Sequence, residues 1–304
     1  MSTFENVAVI LPCFNEEVAI GQVVRELKES LPGALIYVYD NGSKDKTAEI
    51  ALAAGAEVRH EPRKGKGNAV RRAFADVDAD IYVMLDGDGT YEAAAAPTMV
   101  NMLREQHLDL VTGIRIDDGG SQDTYRSGHR LGNIAFTTAV RKVFSSSCED
   151  VLSGYRVMSK RFVKSFPASA KGFEIEVEMT AHASLLRVPT AEYPTIYRDR
   201  PPLSTSKLNT YSDGMRIARA LFRIFRSYSP SRFFGTLSIL SAIVSGVFLL
   251  DAGTYSADEL KTGHLMSGLF ALLGALLLSV GIILNSVSRQ RVEALRLSYL
   301  RFTS

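Results

Sequence analysis

Asp86-Gly87-Asp88 places two carboxylates one residue apart, directly after the apolar run Ile81–Leu85. Carboxylates spaced in this way beside glycines supply hard oxygen ligands for Mg2+ or Mn2+ and leave coordination positions free for substrate phosphates. Two other polar groups follow apolar runs in the same manner. Pro12-Cys13-Phe14-Asn15-Glu16-Glu17 follows Val7–Leu11, and Asp40-Asn41-Gly42-Ser43-Lys44-Asp45 follows Leu35–Tyr39. Each alone has an ordinary explanation, since Ser43 or Asp45 can cap a helix and Asn41-Gly42 is a turn dipeptide. Three at corresponding places point instead to a ligand site. Arg63-Lys64-Gly65-Lys66-Gly67-Asn68 opens a helix with glycines and positive charge, so helix amides and Lys66 could face a phosphate; a solvated basic turn is the other reading. It is not a dinucleotide fingerprint, because Val70 stands where the third glycine would be, and it lacks the Gly-Lys-Ser/Thr of a P-loop.

Elements that position these groups are legible in the first two hundred residues. Val7–Leu11, Leu35–Tyr39, Ile81–Leu85 and Leu108–Thr112 are continuous apolar runs of strand length. Ala19–Leu31, Thr47–Ala54, Gly67–Ala75 and Ala94–Glu105 carry helical periodicity between them. Such alternation predicts an α/β domain with a mostly parallel, Rossmann-like sheet covered on both faces. Ligands of these sheets bind beyond the C-terminal strand ends, at a topological switch point, which is where the carboxylates fall.

In order and spacing, Leu11-Pro12-Cys13-Phe14-Asn15-Glu16, Asp40-Asn41-Gly42-Ser43-Lys44-Asp45-Lys46-Thr47, Lys64-Gly65-Lys66-Gly67-Asn68-Ala69 and Asp86-Gly87-Asp88 resemble the inverting family 2 glycosyltransferases of the GT-A fold. Further on, Asp150-Val151-Leu152-Ser153-Gly154-Tyr155-Arg156 and Tyr197-Arg198-Asp199-Arg200 with Ser206-Lys207 are similar to the dolichyl-phosphate mannose synthase and bacterial polyprenyl-phosphate glycosyltransferase branch. The resemblance implies that Pro12, Asn15, Glu16, Asp40 and Ser43 hold the base and ribose of a nucleotide sugar, with Lys66 near the nucleotide. Asp86 and Asp88 would hold ribose and a Mg2+ or Mn2+ ion. Arg115, Arg130, Ser153 and Arg156 would surround an acceptor phosphate, and Arg198, Arg200 and Lys207 would lie on a loop over the phosphates. Turnover is expected to depend on Asp88, Asp150 and Arg200. Thr90 stands where the mannose synthases have a glutamine metal ligand, and Cys13 replaces a small or apolar residue. The branch also implies a homo-oligomer, a tetramer in relatives with a similar anchor.

The chain has 304 residues, 46% hydrophobic and 22% charged, with a formal net charge of +2. This composition excludes a disordered or collagen-like chain and offers no whole-chain case for nucleic-acid binding. The two cysteines, Cys13 and Cys148, are too few for a disulfide framework and suit a reducing compartment. Met1–Asn6 carries Glu5 and no basic residue, so no secretory signal is expected there. Phe233–Leu250 and Leu265–Val287 contain no charged residue, and each is long enough to cross roughly 30 Å of hydrocarbon. They read as two membrane spans; the alternative is a hairpin buried in a soluble core. Arg216, Arg219, Arg223, Arg226 and Arg232 precede the first span, and Arg289, Arg291, Arg296 and Arg301 follow the second, whereas the connection carries Asp251, Asp258 and Glu259 against Lys261. The positive-inside rule then puts both the N-terminal part and the C-terminal tail on the cytosolic side, and the resemblance implies that the membrane is a bacterial inner membrane. Met215, Ala218, Leu221, Phe222 and Phe225 recur at helical spacing with arginines between them, as in an amphipathic helix on a bilayer surface or a surface helix packed on the domain. The expected organisation is a GT-A domain over 1–208, a juxtamembrane helix over 209–232, a hairpin over 233–287 and a basic tail over 288–304.

The chemistry expected is displacement of a nucleotide diphosphate from the anomeric carbon by a polyprenyl phosphate such as undecaprenyl phosphate, with inversion. The resemblance alone favours UDP as the nucleotide. Asp150 is expected to orient an acceptor-site cation such as Arg156 rather than serve as a base, because a phosphate monoester is largely dianionic at neutral pH. Among rivals, a processive polysaccharide synthase is disfavoured by the absence of tryptophan. A transferase acting on a diacylglycerol-type lipid and a non-catalytic nucleotide-sugar sensor are the others.

Overall fold

The computed structural model describes residues 4–117, 148–201, 229–251 and 257–302, with a few single positions besides. The chain divides into two compact units, one comprising Met1–Ile217 with Leu295–Ser304 and the other Ala218–Ala294. Most of the expected juxtamembrane helix, together with Arg130 and Lys207, lies outside the described residues.

The first unit is built on a seven-stranded sheet of order β3-β2-β1-β4-β6-β5-β7. Its strands are β1 (Val7–Cys13), β2 (Leu35–Asp40), β3 (Glu57–His60), β4 (Ile81–Met84), β5 (Leu110–Asp117), β6 (Arg156–Ser159) and β7 (Thr190–Tyr197). All neighbours run parallel except β6, which is antiparallel to both β4 and β5. The helices are α1 (Ile20–Ser30), α2 (Thr47–Ala53), α3 (Lys66–Asp76), α4 (Ala96–Glu105), α5 (Lys160–Ser165) and α6 (Ile175–Leu186). The mostly parallel α/β sheet expected from the sequence is therefore what the chain forms.

Strand alternation divides the core in two. Val7, Val9 and Leu11 of β1 join Val38, Val83 and residues of α1 and α4 on one face, while Ala8 and Ile10 join Tyr39, Met84 and residues of α3, α5 and α6 on the other. A strand covered on both faces must be apolar at every position, which is why β1 is buried throughout. The chain leaves β1 toward β2 and β3 on one side and returns as β4 on the other, so the switch point lies between β1 and β4.

At the opposite ends of the strands Asp109, fully buried just before β5, accepts hydrogen bonds from Ser159 Oγ, Arg161 and the Tyr299 hydroxyl. Leu295 and Tyr299 pack against the second core cluster. The C-terminal residues are thus part of this unit.

The second unit contains α7 (Pro230–Asp251) and most of α8 (Ala257–Leu300). Ser238, Ser241 and Ser245 of α7 donate to the carbonyls of Gly274, Phe270 and Ser267 at 2.8, 2.7 and 2.8 Å, so the helices are antiparallel. Phe248 stacks on Phe270 with centroids 5.8 Å apart. Small and hydroxyl residues face inward, whereas Ile239, Ile243, Val247, Leu272, Leu276 and Ile283 are exposed. Two helical stretches, Pro230–Leu250 and Thr262–Leu300, are long and apolar enough to cross a membrane, and only 6% and 17% of their most apolar windows are buried. A core helix of a soluble protein would bury most of that surface.

Candidate active site

The C-terminal ends of β1, β2 and β4 open into a cavity of about 250 Å³, lined by Pro12, Cys13, Phe14, Glu16, Asn41, Lys64–Lys66, Ala69, Asp86–Asp88, Phe173 and Arg200. Asp86 and Asp88 enter it because β4 ends at Met84 and the chain turns at Gly87-Asp88, with Gly89 at positive φ. Each aspartate meets a cation. Lys66 Nζ contacts Asp86 Oδ1, and Arg200 lies 2.6 Å from Asp88 Oδ2. The other oxygen of Asp88 accepts from the Thr90 hydroxyl at 2.6 Å and the Thr90 amide at 3.1 Å, so Thr90 orients that carboxylate.

Lys66 is the first residue of α3 and is bound on its other side by Glu176 Oε1 of α6, at 2.5 Å. Burial by itself would lower the ammonium's pKa; the adjoining Asp86 and Glu176 carboxylates outweigh it and hold the lysine above its usual range. Burial raises the Glu176 carboxyl, with Lys66 pulling the other way. The helix start lies against the backbone of 170–171. A Cβ on Gly65 would fall 2.1 Å from the Lys171 carbonyl oxygen, and one on Gly67 would fall 2.4 Å from that of Ala170. These glycines therefore serve close helix-to-backbone packing.

The residues expected to hold base and ribose form the neighbouring wall. Pro12 and Glu16 line the cavity. Asn15, at positive φ, receives the Lys44 amide on its Oδ1, and its own amide donates to Ser43 Oγ at 2.9 Å. Asp40 is buried, accepting the Ser43 amide at 3.1 Å and facing His60 Nδ1 at 3.1 Å. Asn15, Asp40 and Ser43 thus make one hydrogen-bonded frame between the ends of β1 and β2. Asn41, expected to mark a turn, has a larger part: its side chain donates to the Glu61 and Arg63 carbonyls and accepts from the Gly65 amide, tying β2 to the basic loop. Cys13 lines the cavity and is buried. Burial, then the charges of Glu16, Asp86, Asp40 and Asp88, push its thiol pKa well up.

The expected acceptor residues divide. Asp150 is buried and gives both oxygens to Arg115, at 2.7 Å each, and Arg115 also lies over the Tyr197 ring. The cation oriented by Asp150 is therefore Arg115 and not Arg156. Ser153 and Arg156 are fully buried and off the cavity wall. Ser153 donates to the Gly113 carbonyl at 2.6 Å, and Arg156 donates to the carbonyls of Ser153 and Val151 and to Thr180. Both brace the turn before β6. Arg198 is exposed, with its amide bonded to the Thr90 carbonyl. This bond and the Tyr91–Tyr197 bridge lay the chain leading to Arg200 across the site.

A divalent cation fits the donor set. Asp86 and Asp88 offer hard oxygens, and a Cβ at Gly154 would approach Asp86 Oδ2 to 2.8 Å, so the glycine keeps the space around that carboxylate clear. Among the described residues no group of three or more His, Cys, Asp or Glu forms a closed cage. Two protein carboxylates with open positions suit Mg2+ or Mn2+ shared with a diphosphate.

Residues 8–166 match the family described as Glycosyl transferase family 2. The chain is a family 2 glycosyltransferase. The glycosyltransferase is 35% identical over 245 residues to glycosyltransferase AglJ of Haloferax volcanii, covering 79% of each chain. It is 28% identical to the dolichyl-phosphate hexose transferase of the same organism, over 73% of this chain and 95% of that one. Protein RfbJ of Shigella flexneri is 56% identical over 41% of this chain and 96% of its own. The fold also matches the glucosyl-3-phosphoglycerate synthase of Mycobacterium tuberculosis, solved with Mn2+, UDP-glucose and phosphoglyceric acid. The TM-score is 0.57 at 24% identity, over 73% of this chain and 80% of that one.

Proposed function

We propose that this glycosyltransferase moves a hexose from a nucleotide diphosphate, UDP in the favoured case, to a polyprenyl phosphate at the cytosolic face of a membrane that its two apolar helices enter. The observation supporting transfer most directly is the meeting of Asp86 and Asp88 with Lys66 and Arg200 in one cavity at the strand ends. The lipid acceptor is supported by the outward-facing apolar surface of α7 and α8. The dolichyl-phosphate hexose transferase among its relatives points to the same acceptor class. Arginines at 289, 291 and 296, following the apolar part of α8, favour the cytosolic side for the catalytic unit.

In this mechanism Pro12, Glu16 and the Asn15–Asp40–Ser43 frame hold the nucleoside. When bound on Asp86 and Asp88, Mg2+ or Mn2+ supplies Lewis-acid neutralisation of a diphosphate. Lys66 and Arg200 offset the negative charge that grows on the β-phosphate as the bond from its oxygen to the anomeric carbon breaks. An oxygen of the acceptor phosphate forms the new bond from the opposite face, so the configuration inverts. No proton need be removed, because the acceptor's second pKa is near 6. That agrees with Asp150 being committed through both oxygens to Arg115, which would face the acceptor phosphate as a cation.

The test is incubation of the purified full chain with a panel of sugar nucleotides and either undecaprenyl phosphate or diacylglycerol, with mass analysis of the lipids. A hexosyl undecaprenyl phosphate is the expected product; a glycosylated diacylglycerol would replace this acceptor with the rival lipid.

A further inference from the structure

Behind the cavity lies a buried carboxylate that the mechanism above does not use. Lys66 Nζ touches both Asp86 and Glu176, so one ammonium serves two anions. The two differ in access: the Asp86 side chain is 28% exposed and lines the cavity, whereas that of Glu176 is 4% exposed and does not. Glu176 Oε2 makes no hydrogen bond among the described residues. A carboxylate that is buried and only half bonded is costly, and its volume could have been filled by an apolar side chain without that cost.

The mounting of these groups shows what the arrangement achieves. Lys66 starts α3, whose glycines pack on the carbonyls of 170–171. The amides of Ser169 and Ala170 are in turn held by Glu178 of α6, the helix that carries Glu176. Lys66 and Glu176 thus stand on two elements fastened to each other, and Asp86 stands on the loop after β4. A cation arriving at Asp86 has to compete with the lysine for the same carboxylate. Glu176 is the anion that offers the lysine another place.

We propose that Glu176 is a positioning residue that draws the Lys66 ammonium off Asp86, freeing Asp86 for a metal-bound diphosphate while keeping the lysine's charge beside it. This rests on the reading in which Asp86 and Asp88 hold a divalent cation.

Mn2+ binding to the full chain in detergent, followed by the electron paramagnetic resonance of free Mn2+, tests the proposal without requiring turnover. Glu176→Gln keeps the volume but leaves Asp86 as the lysine's only anion, so Mn2+ affinity should fall about tenfold, as expected for competition by one charge-assisted hydrogen bond. Lys66→Met combined with Glu176→Gln replaces the pair by neutral groups of similar size, removes the competitor and should bring Mn2+ affinity back to at least the wild-type value. In turnover, Glu176→Gln should need correspondingly more Mn2+ for half-maximal rate. Unchanged Mn2+ affinity in Glu176→Gln overturns the proposal alone. So does a double variant as weak as Glu176→Gln, since a purely structural role predicts no recovery. Failure of the wild-type chain to bind Mn2+ overturns the metal reading as well.

Discussion

Two carboxylate clusters sit at opposite strand ends of the same sheet, and they are finished to different degrees. At the end where β5 begins, Asp109 accepts four hydrogen bonds: from Ser159 Oγ at 2.6 Å, from Arg161 Nε and Nη2 at 2.5 and 2.9 Å, and from the Tyr299 hydroxyl at 2.7 Å. Arg161 in addition lies 4.9 Å above the Tyr299 ring. At the end where β1 and β4 terminate, Lys66 is divided between Asp86 and Glu176, and Glu176 Oε2 is left without a hydrogen bond among the described residues. A saturated cluster holds a fold together. An unsaturated one at the switch point of an α/β sheet is held in readiness for a charged ligand.

The contrast predicts opposite consequences for similar substitutions. Asp88→Ala should lower transfer by about a hundredfold or more, the order expected when the cation that Asp88 would hold against the leaving diphosphate is lost. Its melting temperature should fall less than that of Asp109→Ala, because the partner Arg200 is partly exposed and can turn to water, leaving only the Thr90 amide and hydroxyl without their acceptor. A large drop in melting temperature with retained turnover would erase the distinction between the two ends. Asp109→Ala should do the reverse, costing roughly 3 kcal/mol of stability, since it leaves buried donors without an acceptor. Denaturant unfolding measures this, and donor KM should be unaffected at temperatures where the variant is folded.

Acid pH sharpens the comparison. His182, packed against Phe162 and Phe166 and bonded through Nε2 to Ser165, has its imidazole pushed by burial down to about 4. A folded-state pKa below the unfolded value of about 6.5 means that the unfolded chain takes the proton first. The stability this neutral histidine supports is complete above about 6.5 and is lost as pH falls from there toward 4. His182→Gln should therefore flatten the decline of melting temperature over that window. The acid limb of activity that the proposed phosphate acceptor predicts near pH 6 should remain in that variant. Loss of both together would assign the limb to unfolding. The smallest effect is expected for Tyr299→Phe, which deletes one hydroxyl from the saturated cluster and should cost about 1 kcal/mol with normal turnover.

The same contrast explains what could be read without coordinates. β1, β2 and β4 are legible because strands covered on both faces are unbroken apolar runs, and the carboxylates at their ends are placed by that fact alone. β3 is not, since Glu57-Val58-Arg59-His60 is a short edge strand with no fully buried residue. β7 carries Pro194 and has a single buried position, Thr195, as an edge strand can. β6 is hidden by Arg156, a charged residue at a fully buried strand position. In the site, Asp86, Asp88 and Lys66 announce themselves by local spacing. Glu176 stands 110 positions from Lys66 and meets it only through the packing of α3 against 170–171, which no local pattern records. Ser153 and Arg156 show the converse, a motif whose polar groups serve the turn that carries them.

Direct displacement by a lipid phosphate at the unsaturated end is tested most directly by the anomeric configuration of the product. The full chain should be supplied with an α-linked sugar nucleotide and undecaprenyl phosphate, and the lipid product examined by phosphorus and proton magnetic resonance. The account predicts a hexose joined through its anomeric carbon to the phosphate in the β configuration. An α-linked product, or a sugar attached anywhere but to the phosphate, would contradict it.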